Sequence, residues 1–346
     1  MKKLTLALVS TLVAISLLLS ACGTATTPVP APVATEAPAA APAATEVPAA
    51  TVAPTAEPLK GTIGVSGAFA LYPMMTVWAD EFHKLHPEVE FDVQGGGAGK
   101  GMTDTIAGAV DIGMISRKIK PEEEAQGVFW VSVTKDAVFP VISAQNPVAA
   151  DIIAKGINQD TFKKIFITGE IKTWGEVVGK PEIKDAIVVY TRADSAGAAD
   201  TWAQFCGGKV QADIKGVGVN GEPALVDQVI KNPLGIGFSN LNSVFDTTSG
   251  TVVTGAVVPP VDANKNGKAD PEEYLKEKKD AVSAVSSGKY PSPPSRFENL
   301  ATKGKPKGLV LAFIQWILTD GQQYLDQAGY VPLTPDQQAE SLAKLK

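Results

Sequence analysis

The sequence predicts an α/β protein made of two β-α-β units that share a ligand crevice. Three observations carry this. Strand-like apolar runs alternate with amphipathic helical stretches along most of the chain. Three short loops rich in glycine and small residues stand where a strand gives way to a helix: Ser66-Gly67-Ala68-Phe69, residues 95–101 and residues 192–198. Residues 60–346 have ordinary globular composition and a length that suits about two lobes.

The elements follow in order. Residues 62–65 read as a strand and 72–85 as a helix, because Met74, Trp78, Phe82 and Leu85 share one face. Residues 89–93 alternate as a strand, 100–109 form a helix and 111–115 a third strand. That order implies a parallel sheet with covering helices. A second unit follows: strand 138–143, helix 160–166, strand 187–192, helix 196–205 and strand 235–239. Helical segments over 309–318 and 321–328 come near the end.

The loops carry the chemistry. A helix N-terminus presents unpaired N–H groups and the positive end of the helix dipole. Glycine lets the backbone approach a ligand closely. Three such ends converging on one point would form an oxyanion trap. The plain alternative is a set of turns that only pack strand on helix. Arg192 and Lys100 supply positive charge, Lys100 at the rim.

The first residues set the compartment. Met1-Lys2-Lys3 is basic, and residues 4–19 are apolar but too short for a comfortable membrane span, so residues 1–21 read as a secretory signal. Leu19-Ser20-Ala21-Cys22-Gly23 resembles a bacterial lipobox, which implies cleavage before Cys22 and acylation of that cysteine. An uncleaved anchor or a simply secreted chain is the plainer reading. Residues 22–59 are almost wholly Ala, Pro, Thr, Val and Glu, which predicts a disordered tether. The expected location is extracytoplasmic, held to the cell membrane through lipid alone.

Composition excludes several classes. The net charge of −6, with no basic run interleaved with aromatics, argues against nucleic acid. Two cysteines cannot build a disulfide framework; Cys206, near Trp202 and Phe205, reads as a small buried hydrophobe. His83 and His86 have zinc-compatible spacing but no third ligand, and read as surface residues. Residues 122–124 read as an acidic first turn, residues 276–279 as an exposed charged helical face, and Trp130, Trp174, Trp202 and Trp316 as core anchors. No triad or catalytic carboxylate pair stands out, so an enzyme is not expected; nor is a cofactor. A monomer is.

Residues 262–273 match the EF-hand-type calcium loop at every ligand position. Asp262, Asn264, Asn266, the Lys268 carbonyl, Asp270 and a bidentate Glu273 would supply oxygen, with Gly267 at the turn. Pro259-Pro260 argues against an entering helix, so the expectation is a lone structural Ca2+ loop, with a solvated polar turn as the alternative.

Residues 60–346 resemble the phosphate-type solute-binding proteins of ABC importers, the PstS-like family. The matching stretches include residues 64–67 with Pro73 and the 78–82 helix, 94–101, 106–117, Ile165-Phe166 with Trp174, 192–197, 235–238, Tyr290-Pro291 and 321–333. The resemblance implies a two-lobed periplasmic-binding fold of type II, closing by hinge motion. It divides the chain into lobe I (60–138 plus 296–346) and lobe II (139–295). It implies delivery of an oxyanion, phosphate first, to an ABC permease. The ligand positions it implies are Ser66, Gly67, Ala68, Phe69, Gly97, Ala98, Gly99, Ser116, Arg117, Arg192, Asp194, Ser195, Ala196, Gly197 and Ala198.

This chain departs from the family at several of those positions. Phe69, Ala98, Ala196 and Ala198 stand where hydroxyl residues are usual, and Arg117 stands where some members have an acid. A charge-assisted hydrogen bond is worth about 1.5–3 kcal/mol, so two or three lost hydroxyls weaken phosphate by orders of magnitude unless other donors replace them. Another anion or small organic solute, bound by a calcium-stabilised surface or sensing lipoprotein of the same fold, is the alternative.

Overall fold

The structure is a computed structural model that describes residues 58–346. The predicted signal sequence, Cys22 and most of the predicted 22–59 tether lie outside the described residues. No helix among the described residues is long and apolar enough to cross a membrane.

Among the described residues nine strands are formed: β1 (Gly61–Gly67), β2 (Val89–Gly95), β3 (Ile112–Ile115), β4 (Val128–Ser143), β5 (Val188–Arg192), β6 (Val217–Val219), β7 (Gly235–Asn240), β8 (Ala256–Val257) and β9 (Ser295–Lys303). They pair in the order β2-β1-β3-β9-β4-β7-β5-β6, with β8 also on β4. β1 runs parallel to β2 and β3, and β5 runs parallel to β6 and β7. These are the two parallel units that the alternation predicts.

Between them lie two antiparallel strands. β4 pairs with β9 from Val128 to Ala137 and then with β7 from Val138 to Ile142. One continuous strand therefore passes from the first unit to the second. The apolar core divides around it. Trp78, Phe82, Phe313 and Ile317 belong to one buried cluster, and Phe162, Phe166, Trp202 and Phe238 to the other. The fold is two-lobed.

Local signals explain the helices that flank the loops. The Tyr72–Leu85 helix has Pro73 in its first turn and buries Met74, Met75, Trp78 and Phe82. The Ala98–Ala107 helix stops at Gly108, which takes a left-handed φ of 69°.

Several expectations are corrected. The predicted strand at 138–143 begins ten residues earlier, at Val128, with a bulge at Ser132/Thr134 that breaks the alternation. β6, β8 and β9 are additional strands. The 160–166 helix is Gln159–Lys163 followed by a π turn, and 321–328 divides into a 3-10 turn and the short Leu325–Ala328 helix. His83 and His86 are half-buried rather than surface residues: His83 Nδ1 lies 2.6 Å from the Val89 carbonyl, and His86 packs 4.5 Å from Phe82. Lys278 is buried, its ammonium donating to the Ala328 carbonyl at 2.9 Å, so this one residue of the charged stretch faces inward. Trp174, Trp202 and Trp316 are buried, but Trp130 is only half-buried. Cys206 is fully buried, and burial pushes its thiol well above the usual range.

Candidate functional site

β1, β2 and β5 each end in one of the small-residue loops, and each loop leads into a helix: Tyr72–Leu85, Ala98–Ala107 and Gly197–Phe205. The chain brings all three helix starts together. Within the first lobe, the Gly97 N–H donates to the Gly67 carbonyl at 2.9 Å. Across the lobes, the Gly99 N–H donates to the Ser195 carbonyl at 3.2 Å. Two glycines permit this approach. Gly97 has φ 88°, and a Cβ there would stand 2.5 Å from the Ser195 carbonyl; one on Gly197 would stand 2.5 Å from the Ser116 carbonyl. Side chains at either position would hold the lobes apart.

Arg192 ends β5 with its side chain fully buried. Its fork faces inward. Nε donates to Asp194 Oδ1 at 2.8 Å, Nη2 pairs with Asp194 Oδ2, and Nη1 lies 2.6 Å from Glu222 Oε1 without hydrogen-bond geometry. The Phe69 ring covers it from the opposite lobe, 5.6 Å from centroid to guanidinium carbon. Asp194 also accepts the Gly221 N–H at 3.0 Å. Burial pulls the Asp194 carboxyl upward, but Arg192 and that N–H outweigh it and hold it below the usual range. Glu222 goes the other way: burial pushes it up, and the attraction of Arg192 and Arg296 offsets this only in part.

The remaining predicted residues are placed as follows. Ser66 is buried and donates to Asp104 at 2.6 Å. Lys100 also pairs with Asp104, so its ammonium is engaged on its own helix rather than free at a rim. Ser116 packs on Gly197. Arg117 grips Glu123 through two hydrogen bonds of 2.9 and 2.6 Å and comes within 3.7 Å of Asp200. Ala68, Ala98, Ala196 and Ala198 are buried wall, and Ser195 is exposed beside Gly99.

Gln211 had no sequence signal, yet it shapes the third loop. Its amide donates to the Arg192 and Asp194 carbonyls at 3.0 and 2.7 Å and accepts the Ala196 N–H at 2.9 Å. Behind Arg192 lies a second buried group. Arg296 donates to Asp136 at 3.0 Å, pairs with Asn240 and lies 3.3 Å from Glu298. Asp136 sits on β4 and Arg296 and Glu298 on β9, so these charges straddle the strands that join the lobes.

The 262–273 loop closes on itself. Asp262 accepts the Asn266 and Gly267 N–H groups, both at 3.0 Å, and Glu273 accepts those of Ala263 and Asp270 at 2.9 and 3.0 Å. The Asn264 and Asn266 amides donate to Asp270 at 2.7 and 2.8 Å, and Lys268 approaches Asp270 at 3.6 Å. Among the described residues no three His, Cys, Asp or Glu side chains converge at metal-binding distances. The loop keeps its turn, with Gly267 at φ 77°, but its carboxylates do not meet at one point.

Two lobes joined by crossing strands, with three helix starts meeting between them, are the architecture of a two-lobed binding protein. The profile described as "PBP superfamily domain" matches residues 52–321, and the chain belongs to that family. It is 27% identical over 281 residues to the phosphate-binding protein PstS of Bacillus subtilis, covering 80% of this chain and 83% of that one. It is 28% identical over 315 residues to the PstS of Pseudomonas aeruginosa, with 84% and 88% coverage. In fold it is similar to a Clostridium perfringens protein solved with bound phosphate (TM-score 0.63, 23% identity, 79% of this chain, 100% of that one). A phosphate transport receptor of Vibrio cholerae gives a TM-score of 0.58 at 21% identity, covering 78% and 100%.

Proposed function

We propose that this chain is an extracytoplasmic receptor that captures an inorganic oxyanion, phosphate first, between its lobes and delivers it to an ABC transporter. The observation that carries this reading is the meeting of three helix N-termini, sealed across the lobes by the Gly99 to Ser195 hydrogen bond. The names of the relatives support the ligand and the transporter. The lipobox supports anchoring through Cys22, and the tether would let the receptor reach its permease. Calorimetry of the purified protein against phosphate, sulfate, molybdate and small organic acids tests it. Phosphate is expected to give the strongest signal; no heat with any anion would overturn the receptor reading.

A second reading draws on Arg192, whose fork is held by Asp194 and Glu222, and on the missing hydroxyls at Phe69, Ala98, Ala196 and Ala198. These favour a ligand needing fewer donors than phosphate. The same calorimetric series separates the two, since an organic acid would then outrank phosphate.

We also propose that residues 262–273 take up calcium in a structural role. The support is the complete ligand register; binding would turn the Asn264 and Asn266 amides so that oxygen replaces nitrogen toward Asp270. An ion held only by the folded state adds about 2.7 kcal/mol at a hundredfold excess over Kd. Chelator is therefore expected to lower Tm, and Glu273→Gln to remove the response. A Tm indifferent to millimolar calcium would make the loop a polar turn.

A further inference from the structure

Beside the three-loop site, and apart from it, lies a cavity of about 390 Å³ walled by both lobes. The first lobe contributes Arg117, Lys118, Trp130 and Lys344; Thr201 comes from the second lobe, and Arg296 and Phe297 from β9. Its volume suits a small molecule, since such sites run from roughly 300 to 1,000 Å³.

The lining is specific in two ways. Four cations face one carboxylate, Glu340. Arg117 is taken up by Glu123, but Lys118 has no carboxylate within 4 Å among the described residues. Arg296 is taken up as well: its side chain is 5% exposed and is ion-paired with Asp136 and Glu298. Finally, two flat rings form walls. Trp130 is fixed by its indole N–H donating to Glu124 at 2.7 Å, and Lys344 places its ammonium 3.7 Å from the ring centroid.

The geometry points to a second ligand site here, for an organic anion with a flat apolar body. The charged end meets Lys118 and Lys344; the body lies along Trp130 and Phe297. Because both lobes form the walls, closure grips this ligand as it would grip one at the three loops. The cavity touches the predicted anion positions only through Arg117, so an inorganic anion at the three loops leaves it open.

The test uses purified protein saturated with inorganic phosphate, titrated with benzoate and with phenyl phosphate, by calorimetry and tryptophan emission. Both probes are expected to bind despite the phosphate and to change the emission. Trp130→Phe keeps a flat wall and should retain binding while abolishing the emission change. Lys344→Met should weaken both probes about tenfold with Tm unchanged. The proposal is overturned if neither probe binds. It is also overturned if phosphate displaces them, if the emission change survives in Trp130→Phe, or if Lys344→Met leaves affinity unaltered. A protein that binds no inorganic anion but binds benzoate in this pattern would refute the proposed function and leave this site standing.

Discussion

Replacing Arg192 by alanine is expected to abolish anion capture and, unlike an ordinary binding-site change, to destabilise the protein by about 3–5 kcal/mol. From the sequence alone, Arg192 reads as a ligand contact whose loss leaves the fold untouched. The structure changes that expectation. The side chain is fully buried and neutralises Asp194 and Glu222, the second of which is itself buried. Truncation leaves the buried Glu222 and the partly exposed Asp194 without their cation. A paired variant separates the two roles. Arg192→Met with Glu222→Gln removes the cation and the buried carboxylate together and leaves only Asp194, which is partly exposed and keeps the Gly221 N–H, so stability should largely return while anion affinity does not. Glu222→Gln alone frees Nη1 from its competing carboxylate and should raise anion affinity. Calorimetry and thermal melts of these variants decide the matter. Affinity that survives in the stable double variant would show that Arg192 does not hold the anion.

What was legible in the sequence and what was not divides along physical lines. The Tyr72–Leu85 helix could be read because its buried residues repeat at helical spacing. The three loops could be read because glycine marks places where backbone must come close, and Gly97 and Gly197 do so. β9 could not be read. Glu298 and Asn299 occupy buried positions on it, so the apolar alternation that announces a strand is missing. The first half of β4 hides for the same reason, with Asp136 buried and a bulge shifting the period. Glu222 and Gln211 reach Arg192 only through the folded chain, and nothing local in the sequence marks such partners. The departures at Phe69 and the alanines could be read as lost donors. That Phe69 instead covers Arg192 from the opposite lobe needed the structure.

Those unreadable polar residues carry the second large effect: stability should fall as pH rises from the acid side toward neutrality. Glu298 is fully buried, and neither of its carboxylate oxygens has a hydrogen-bond partner. Burial holds its carboxyl well above the usual range; Arg296 offsets this only partly, and Asp136 and Glu222 push it further up. Asp136 and Glu222 are raised too, again mainly by burial. The sign follows from proton binding. A carboxyl with a raised folded-state pKa keeps its proton in the native chain after the unfolded chain has lost it. Its contribution is whole below the ordinary glutamate value of about 4.3 and is lost as pH climbs through the raised value. Carboxyls held low by their partners, Asp194, Glu123 and Asp104, act in the opposite sense but only as pH falls below the ordinary range. Melting at about pH 5 should therefore exceed melting at about pH 7.5, with Glu298→Gln, which cannot ionise, showing a smaller difference between the two. If the variant keeps the full decline, the titrating group lies elsewhere and Glu298 is ionised in the native protein, its charge balanced by Arg296 across the strands that join the lobes.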